Sequence, residues 1–238
     1  MCDHCISATG KSGLSRRGLF AAGAGLALAL AGVLSTPLRA QSAAVGPDEA
    51  LKRLVDGNAR YVAGNLNERD FSVGRAARAA SQAPFASILS CADSRVAPEL
   101  AFDRGPGELF VTRVAGNFVN ADVLASLEYG AQVLGSQLIL VLGHTSCGAI
   151  SATIDVVKNK TGLPGKLPSL VNAIRPAVLA AQKEGAADLL KAATIANVRL
   201  NVAKLKKATP ILSQRLAQKQ LSVVGGVYDL ASGKVELV

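Results

Sequence analysis

The hydrophobic residues of this chain recur at two spacings, one typical of helices and one typical of buried strands. From Pro47 onward, apolar residues return every three or four positions, and the acidic Asp48 and Glu49 fall in the first turn of the predicted helix. The same spacing predicts helices in four further stretches, residues 73–81, 121–134, 148–158 and 169–218. Gly185 and Pro210 are expected to break the last of these.

Short apolar runs of strand-forming residues separate the predicted helices. These runs are residues 85–90, 109–114, 138–142, 221–228 and 234–237. The run 138–142 is continuously apolar rather than alternating, as is typical of a strand that is buried on both faces of a sheet. Strands that alternate with helices predict an α/β fold with a mostly parallel central sheet, flanked by helices and preceded by an N-terminal helical arm.

The first forty residues follow a different pattern. The paired Arg16 and Arg17 precede a Gly-, Ala- and Leu-rich run that ends at Leu34, and Ala40 follows soon after. Paired arginines before such a run resemble a twin-arginine export signal. We therefore predict that residues 1–40 are a signal peptide, cleaved near residues 40–44. An uncleaved membrane anchor is the alternative, but the run is shorter than the roughly 20 residues of a membrane-spanning helix.

Cleavage would leave residues 41–238 as a single domain in the periplasm, without a stable membrane anchor. This part carries 22 basic and 16 acidic residues, a net charge of +6. Its positive charges lie mainly between Lys158 and Lys219, and the chain has three Tyr and no Trp. Because aromatic residues are not interleaved with these charges, a solvated surface is favoured and no nucleic-acid partner is predicted.

Two short clusters stand directly after two of the predicted strands. They are residues 91–95, Cys-Ala-Asp-Ser-Arg, and residues 144–147, His-Thr-Ser-Cys. Parallel strands have their carboxyl ends at one edge of a sheet, so Cys91, His144 and Cys147 converge if the two strands are neighbours. Two thiolates and one imidazole suit Zn²⁺ and leave a fourth position for water or a substrate. The sequence therefore predicts a catalytic domain that binds one zinc ion.

A disulfide is the alternative use of two cysteines in an exported protein. Cys2 and Cys5 fall within the predicted signal, so Cys91 and Cys147 would be the cysteines of the exported domain. His144, three residues before Cys147, favours a metal site over a disulfide. Twin-arginine export commonly moves folded proteins, so zinc could be bound in the reducing cytoplasm before export.

Three motifs resemble those of the β-class carbonic anhydrases in sequence, order and separation. They are Cys-Ala-Asp-Ser-Arg-Val at residues 91–96, Arg-Val-Ala-Gly-Asn at residues 113–117, and Gly-His-Thr-Ser-Cys-Gly-Ala at residues 143–149. The resemblance covers nearly all of the exported domain and implies a β-carbonic anhydrase-like fold. It also implies reversible hydration of carbon dioxide to bicarbonate and a proton by zinc-bound hydroxide. A homodimer or higher homo-oligomer is the assembly implied.

The resemblance implies catalytic roles for Asp93 and Arg95. Asp93 would accept a hydrogen bond from the zinc-bound hydroxide, and Arg95 would keep Asp93 ionised through a bidentate ion pair. In some family members this Asp ligates zinc instead and closes the site. We expect the open form near neutral pH, so that Asp93 is a metal ligand only in a closed form.

Five further residues are expected, by the same resemblance, to line the substrate pocket. The amide of Gln82 would polarise a substrate oxygen, and the backbone N–H of Gly148 would point to the substrate. Phe110, Ala115 and Tyr129 would form an apolar wall, some of it contributed across a dimer. Phe110 and Tyr129 have an alternative role as ordinary core aromatics.

Two alternative functions use the same zinc site. One is hydrolysis of carbonyl sulfide or carbon disulfide, an activity of relatives on this fold. The other is a non-catalytic module that binds zinc or bicarbonate.

Overall fold

The computed structural model describes residues 45–238, and the predicted export signal lies outside them. One sheet contains the strands β1 (Ala86–Ser90), β2 (Leu109–Arg113), β3 (Leu138–His144), β4 (Ser222–Tyr228) and β5 (Val235–Leu237). The helices are α1 (Pro47–Val62), α2 (Arg75–Ala80), α3 (Pro98–Ala101), α4 (Ala121–Gln132), α5 (Gly148–Asn159), α6 (Leu167–Lys183), α7 (Leu189–Lys206) and α8 (Ile211–Ala217).

The strands lie in the order β2-β1-β3-β4-β5. The first four are parallel to one another, and β5 runs antiparallel to β4. Helices connect the parallel strands, because a parallel pair needs a long crossover rather than a tight turn. The predicted α/β fold with a mostly parallel sheet is therefore confirmed.

The central position of β1 and β3 explains their apolar sequences. Every residue of both strands is buried, as expected for strands that are covered on both faces. In the register between them, Ser87 pairs with Ile139 and Ser90 pairs with Leu142. The carboxyl ends of β1 and β3 consequently lie side by side, which was the condition for the predicted metal site.

Apolar side chains pack on both faces of the sheet. On one face, Ile88 and Leu140 join a cluster that includes Leu54 of α1, and on the other, Leu89 and Ile139 pack with residues of α4, α7 and α8. Burial of one such Leu or Ile side chain contributes about 1.5–3 kcal/mol to stability. The fold is therefore held mainly by these two apolar layers.

The helix α7 approaches β3 and β4 unusually closely. A Cβ atom added to Gly143 would lie 2.7 Å from Cγ2 of Val198, and one added to Gly225 would lie 2.5 Å from Cγ1 of the same valine. Neither distance is compatible with a real side chain, so glycine at both strand positions allows the close packing of α7.

Two details differ from the sequence prediction. The short helix α3 was not predicted, because four residues do not establish a helical period. The strand β3 extends to His144, two residues beyond the apolar run, since its backbone continues to pair with β4 up to Tyr228. Within residues 45–238, no helix is both long and apolar enough to cross a membrane.

A buried carboxylate ties the segment after α1 to the rest of the fold. Asp103, which is 4% exposed, accepts hydrogen bonds from Arg60 Nε at 2.6 Å and from the backbone N–H of Asn67 at 3.2 Å. Arg69 lies 3.7 Å from the same carboxylate. Burial alone would raise the pKa of Asp103, but the hydrogen bonds and the two arginine charges outweigh it and hold the pKa below its usual value.

We expect Asp103→Asn to lower the free energy of unfolding by about 2–3 kcal/mol at pH 7, because it removes the charge that Arg60 and Arg69 face. The lowered pKa stabilises the fold above the unfolded-state pKa near 4, and this contribution disappears as the pH falls through the folded-state pKa. In urea unfolding, the difference in the free energy of unfolding between parent and variant should therefore become smaller below about pH 4.

Asp56→Asn is the matched control, because Asp56 pairs with Lys52 in an exposed i,i+4 salt bridge. That variant should change the unfolding midpoint little. Equal decreases in the free energy of unfolding in the two variants would contradict the role assigned to Asp103.

Candidate metal centre

Three metal-ligating side chains meet at the carboxyl edge of the sheet. Cys91 directly follows β1, His144 is the last residue of β3, and Cys147 precedes the first turn of α5. All three are buried, and one ligand atom from each lies within 4.8 Å of the other two. Cys91 and Cys147 are free thiols rather than a disulfide. The convergence predicted from the two strand ends is therefore confirmed.

The backbone sets which nitrogen of His144 is available. Nδ1 lies 2.9 Å from the carbonyl oxygen of Thr145, so it carries the proton and donates it to that oxygen. Nε2 is buried and has no hydrogen-bond partner in the part of the chain that the structure describes. A buried ring nitrogen with a free lone pair, on a histidine whose other nitrogen is held by a carbonyl, is the usual arrangement of a metal ligand.

The two sulfurs differ in how readily they ionise. A hydrogen bond from Cys147 lowers the pKa of Cys91 to about 4, assisted by the backbone N–H groups of Gly116 and Asp93, while burial opposes the shift. The N–H groups lie 3.3 Å and 3.4 Å from the Cys91 sulfur. The Cys91 sulfur and burial together raise the pKa of Cys147. The protein thus stabilises one thiolate by itself, and a bound cation would stabilise the second.

This donor set fits Zn²⁺. Two sulfurs and one imidazole nitrogen are soft and borderline ligands that select zinc over magnesium or calcium. The free Nε2 lone pair and the need for positive charge beside Cys147 point to the same kind of ion. Cys91, His144 and Cys147 are therefore the residues that would hold it.

A carboxylate and a guanidinium lie beside the ligands. Arg95 donates from Nε to Oδ1 of Asp93 at 2.9 Å and from Nη2 to Oδ2 at 2.8 Å. The Arg95 side chain is 55% exposed, whereas that of Asp93 is 17% exposed and lies with Oδ2 3.9 Å from His144 Nε2. The bidentate pair with Arg95 holds the pKa of Asp93 well below its usual range. Asp93 is therefore ionised at the edge of the centre.

Two of the predicted pocket residues lie next to the metal centre. Ala115 comes between Val114, which pairs with Ser90 through the backbone, and Gly116, which donates to the Cys91 sulfur. Gly148 is exposed at the start of α5, directly after Cys147. Both positions agree with a place in the pocket wall, although their roles stay predictions.

The other three pocket residues lie at the opposite end of β1. Phe110 pairs with Ser87 near the amino end of that strand, and the ring of Tyr129 is 6.1 Å from the ring of Phe110. Gln82 is exposed in the segment that precedes β1. Five strand residues span roughly 17 Å, so within one chain these three side chains are distant from Cys91. Tyr129 is 47% exposed and is not a core aromatic.

Arg113 is a site residue to which the sequence prediction gave no role. It is the last residue of β2, and it donates from Nε to the carbonyl oxygen of Cys91 at 2.9 Å and from Nη2 to that of Asp93 at 2.6 Å. These bonds fix the turn that carries a ligand and the carboxylate. The sequence signal was its place in the 113–117 motif, but its partners depend on the register between β1 and β2.

Comparison with known proteins gives consistent matches. The sequence model of the carbonic anhydrase family matches residues 86–235. The chain is 40% identical over 192 residues to Carbonic anhydrase 2 of Mycobacterium tuberculosis, which covers 80% of this chain and 92% of that protein. It is 39% identical over 166 residues to a carbonic anhydrase of Pseudomonas aeruginosa, which covers 66% of this chain and 74% of that protein.

Solved structures show the same similarity. The Coccomyxa β-carbonic anhydrase in complex with acetazolamide has a TM-score of 0.63 at 35% identity, over 70% of this chain and 77% of that one. The β-carbonic anhydrase CcaA has a TM-score of 0.60 at 28% identity, over 79% of this chain and 94% of that one.

Gly116 provides a test of the geometry around Cys91. Its φ is +83°, and an added Cβ would lie 2.5 Å from Cδ1 of Ile174. We expect Gly116→Ala to move the N–H group away from the Cys91 sulfur, and to weaken zinc binding by roughly tenfold, as measured by competition with a chelator.

Gly135→Ala is the matched control, because Gly135 has a φ of +78° but no atom within 4 Å of an added Cβ. That variant carries the backbone strain, about 1–2 kcal/mol, without the steric contact. Its zinc affinity should equal that of the parent. Equal zinc affinities in the two variants would show that the backbone geometry at Gly116 does not affect zinc binding.

Proposed function

Since this chain belongs to the β-class of the carbonic anhydrase family, we propose that it catalyses the reversible hydration of carbon dioxide to bicarbonate and a proton. The observation that carries this proposal is the convergence of Cys91, His144 and Cys147 beside an ionised carboxylate. The relatives and structures described above are named as carbonic anhydrases, which supports carbon dioxide over its sulfur analogues as the substrate.

The three ligands hold one Zn²⁺ ion. When bound, zinc supplies Lewis-acid activation of water for the attack on carbon dioxide. The Thr145 carbonyl keeps the imidazole of His144 in the tautomer that presents Nε2. The N–H groups of Gly116 and Asp93 stabilise the charge on the Cys91 sulfur.

Asp93 and Arg95 act as a pair. Asp93 is an ionised acceptor at the edge of the ligand set, and in that position it orients the attacking water by accepting its hydrogen bond. Arg95 engages both carboxylate oxygens and donates a third bond to the Ser146 carbonyl at 3.3 Å. This hold supports the open form, in which Asp93 serves the substrate and not the metal.

We expect Asp93→Asn to reduce kcat/KM for carbon dioxide hydration roughly 100-fold or more, because an amide can donate where an acceptor is required. The zinc content should stay at one ion per chain. Stopped-flow hydration assays measure the rate, and zinc quantification on the same sample measures the metal content.

Asp155→Asn is the control, since Asp155 is an exposed carboxylate on α5 outside the centre. It should leave rate and zinc content as in the parent. Unchanged hydration by Asp93→Asn would favour a zinc module in which the carboxylate has no catalytic role.

The chain acts as a homodimer in this proposal. Gln82, Phe110 and Tyr129 are separated from the metal centre of their own chain by the length of β1, and Gln82 and Tyr129 are exposed. Phe110 lies on β2, which is an edge strand of the sheet, and the Tyr129 ring packs against it. A second chain that packs on this edge would bring the three side chains towards its own centre, where they would complete the substrate pocket.

We expect Tyr129→Arg to convert the dimer to a monomer, because it places a charge in the proposed interface. The rate per chain should fall about tenfold or more as the pocket loses its partner residues. Sedimentation velocity and the hydration assay measure the two effects on one sample.

Leu179→Arg is the control, since Leu179 on α6 is similarly exposed at 49% but lies outside the proposed interface. It should remain dimeric and active. A parent chain that is monomeric at full activity would contradict the dimer.

The export proposal concerns residues 1–40, which would carry the folded domain to the periplasm. It is supported by Arg16 and Arg17 before the apolar run. A ligand set with two free thiols suits a protein that binds zinc before it leaves the reducing cytoplasm.

Replacement of Arg16 and Arg17 together by Lys should retain the precursor in the cytoplasm, because the paired arginines are the signal that the export machinery reads. Cell fractionation detects the location, and N-terminal sequencing of the periplasmic parent gives the cleavage point. Arg39→Lys is the control and should be exported. A parent chain that stays cytoplasmic with residues 1–40 attached would refute the proposal.

A further inference from the structure

Two asparagines are buried on the face of α7 that packs against the sheet. Asn197 is 1% exposed and Asn201 is 0% exposed, and they stand one turn apart beside the buried Val198. Burial of an amide costs free energy unless its polar atoms are hydrogen-bonded. The partners of these two side chains therefore indicate why polar residues occupy an apolar helix face.

Both amides bind the backbone of one turn, residues 116–119. Asn197 donates from Nδ2 to the carbonyl oxygen of Gly116 at 2.8 Å, and Asn201 accepts at Oδ1 from the N–H of Val119 at 2.8 Å. Asn201 Nδ2 also donates to the backbone carbonyl oxygen of Asn197 at 2.8 Å and to Asn197 Oδ1 at 3.2 Å. The two side chains thus hold the turn at both ends and are linked to each other.

This turn needs such support because its backbone is strained. Asn117 has a φ of +40°, in the left-handed region, whereas Gly116 at +83° adopts such an angle without steric cost. A non-glycine residue in that region costs of order 1–3 kcal/mol and persists only where its surroundings hold it. The same Gly116 donates its N–H to the Cys91 sulfur at 3.3 Å.

We infer that Asn197, supported by Asn201, is a positioning residue for the metal centre. It fixes the 116–119 turn so that the Gly116 N–H donates to Cys91. A hydrogen bond to a thiolate draws electron density from the sulfur, which leaves a bound ion more electron-poor. Two thiolates otherwise neutralise most of the charge of a divalent ion, so this bond preserves its ability to polarise water.

This inference rests on the metal site proposed above, and it is tested by a readout other than activity. In NMR spectra of a chain loaded with ¹¹³Cd, an amide proton that is hydrogen-bonded to a ligating sulfur shows scalar coupling to the metal. At the Cys91 sulfur of the unaltered chain we expect two such correlations, from the N–H groups of Gly116 and Asp93.

Asn197→Leu is the test variant, since leucine has a similar volume and no hydrogen-bonding atoms. It should lose the Gly116 correlation and keep that of Asp93, and its zinc affinity should fall roughly tenfold. Thr194→Val is the matched control. Thr194 is 4% exposed one turn earlier on α7, and its hydroxyl bonds only to the Leu190 carbonyl within the helix. That variant should keep both correlations and the parent affinity.

A Gly116 correlation that persists in Asn197→Leu would overturn the inference, as would equal losses of zinc affinity in the two variants. Should Asn197→Leu not fold, Asn197→Ser replaces it with the same expected loss. An unaltered chain that binds cadmium without a Gly116 correlation would overturn the inference and leave the metal site standing. A chain that binds neither ion would overturn both.

Discussion

The parallel pairing of β1 with β3 is the constraint on which the rest of the structure depends. Its register sets Ser90 beside Leu142, so that the first residue after one strand and the last residue of the other meet at one edge. A shift of this register would separate Cys91 from His144, however well each cluster is formed. The apolar layers on both faces of the sheet hold the register, because a slip by one residue would turn buried side chains to the wrong face.

Much of this arrangement could be predicted from the sequence, and the missing parts share a physical cause. Long periodic segments gave the helices and strands, and two clusters after two strands gave the ligands, because those signals are local. The roles of Arg113 and Asn197 were missed, since their partners are 22 and 81 positions away and depend on strand register and helix packing. The placement of Phe110 and Tyr129 also needed the sheet order, which shows them at the amino end of β1.

The metal centre balances burial against charge. Its three ligands are nearly inaccessible, and backbone N–H groups stabilise both sulfurs, those of Gly116 and Asp93 at Cys91 and those of Ala149 and Ile150 at Cys147. The cationic side chain of Arg95 is half exposed and pairs with Asp93 rather than with a sulfur. Charge is therefore divided between a buried part, which suits a divalent ion, and the peripheral Asp93–Arg95 ion pair, which reaches solvent. In the function proposed above, this division assigns binding of the ion and handling of the substrate to separate residues.

The close approach of α7 to Gly143 and Gly225 links the metal centre to the packing of that helix on β3 and β4. Both glycines leave room for Val198, which is the neighbour of Asn197 on α7. A side chain added at either glycine would push α7 outward and pull the Asn197 amide away from the Gly116 carbonyl oxygen. Evolution could thus retune the electrophilicity of the ion through a methyl group at a glycine that does not ligate it, with every ligand left in place.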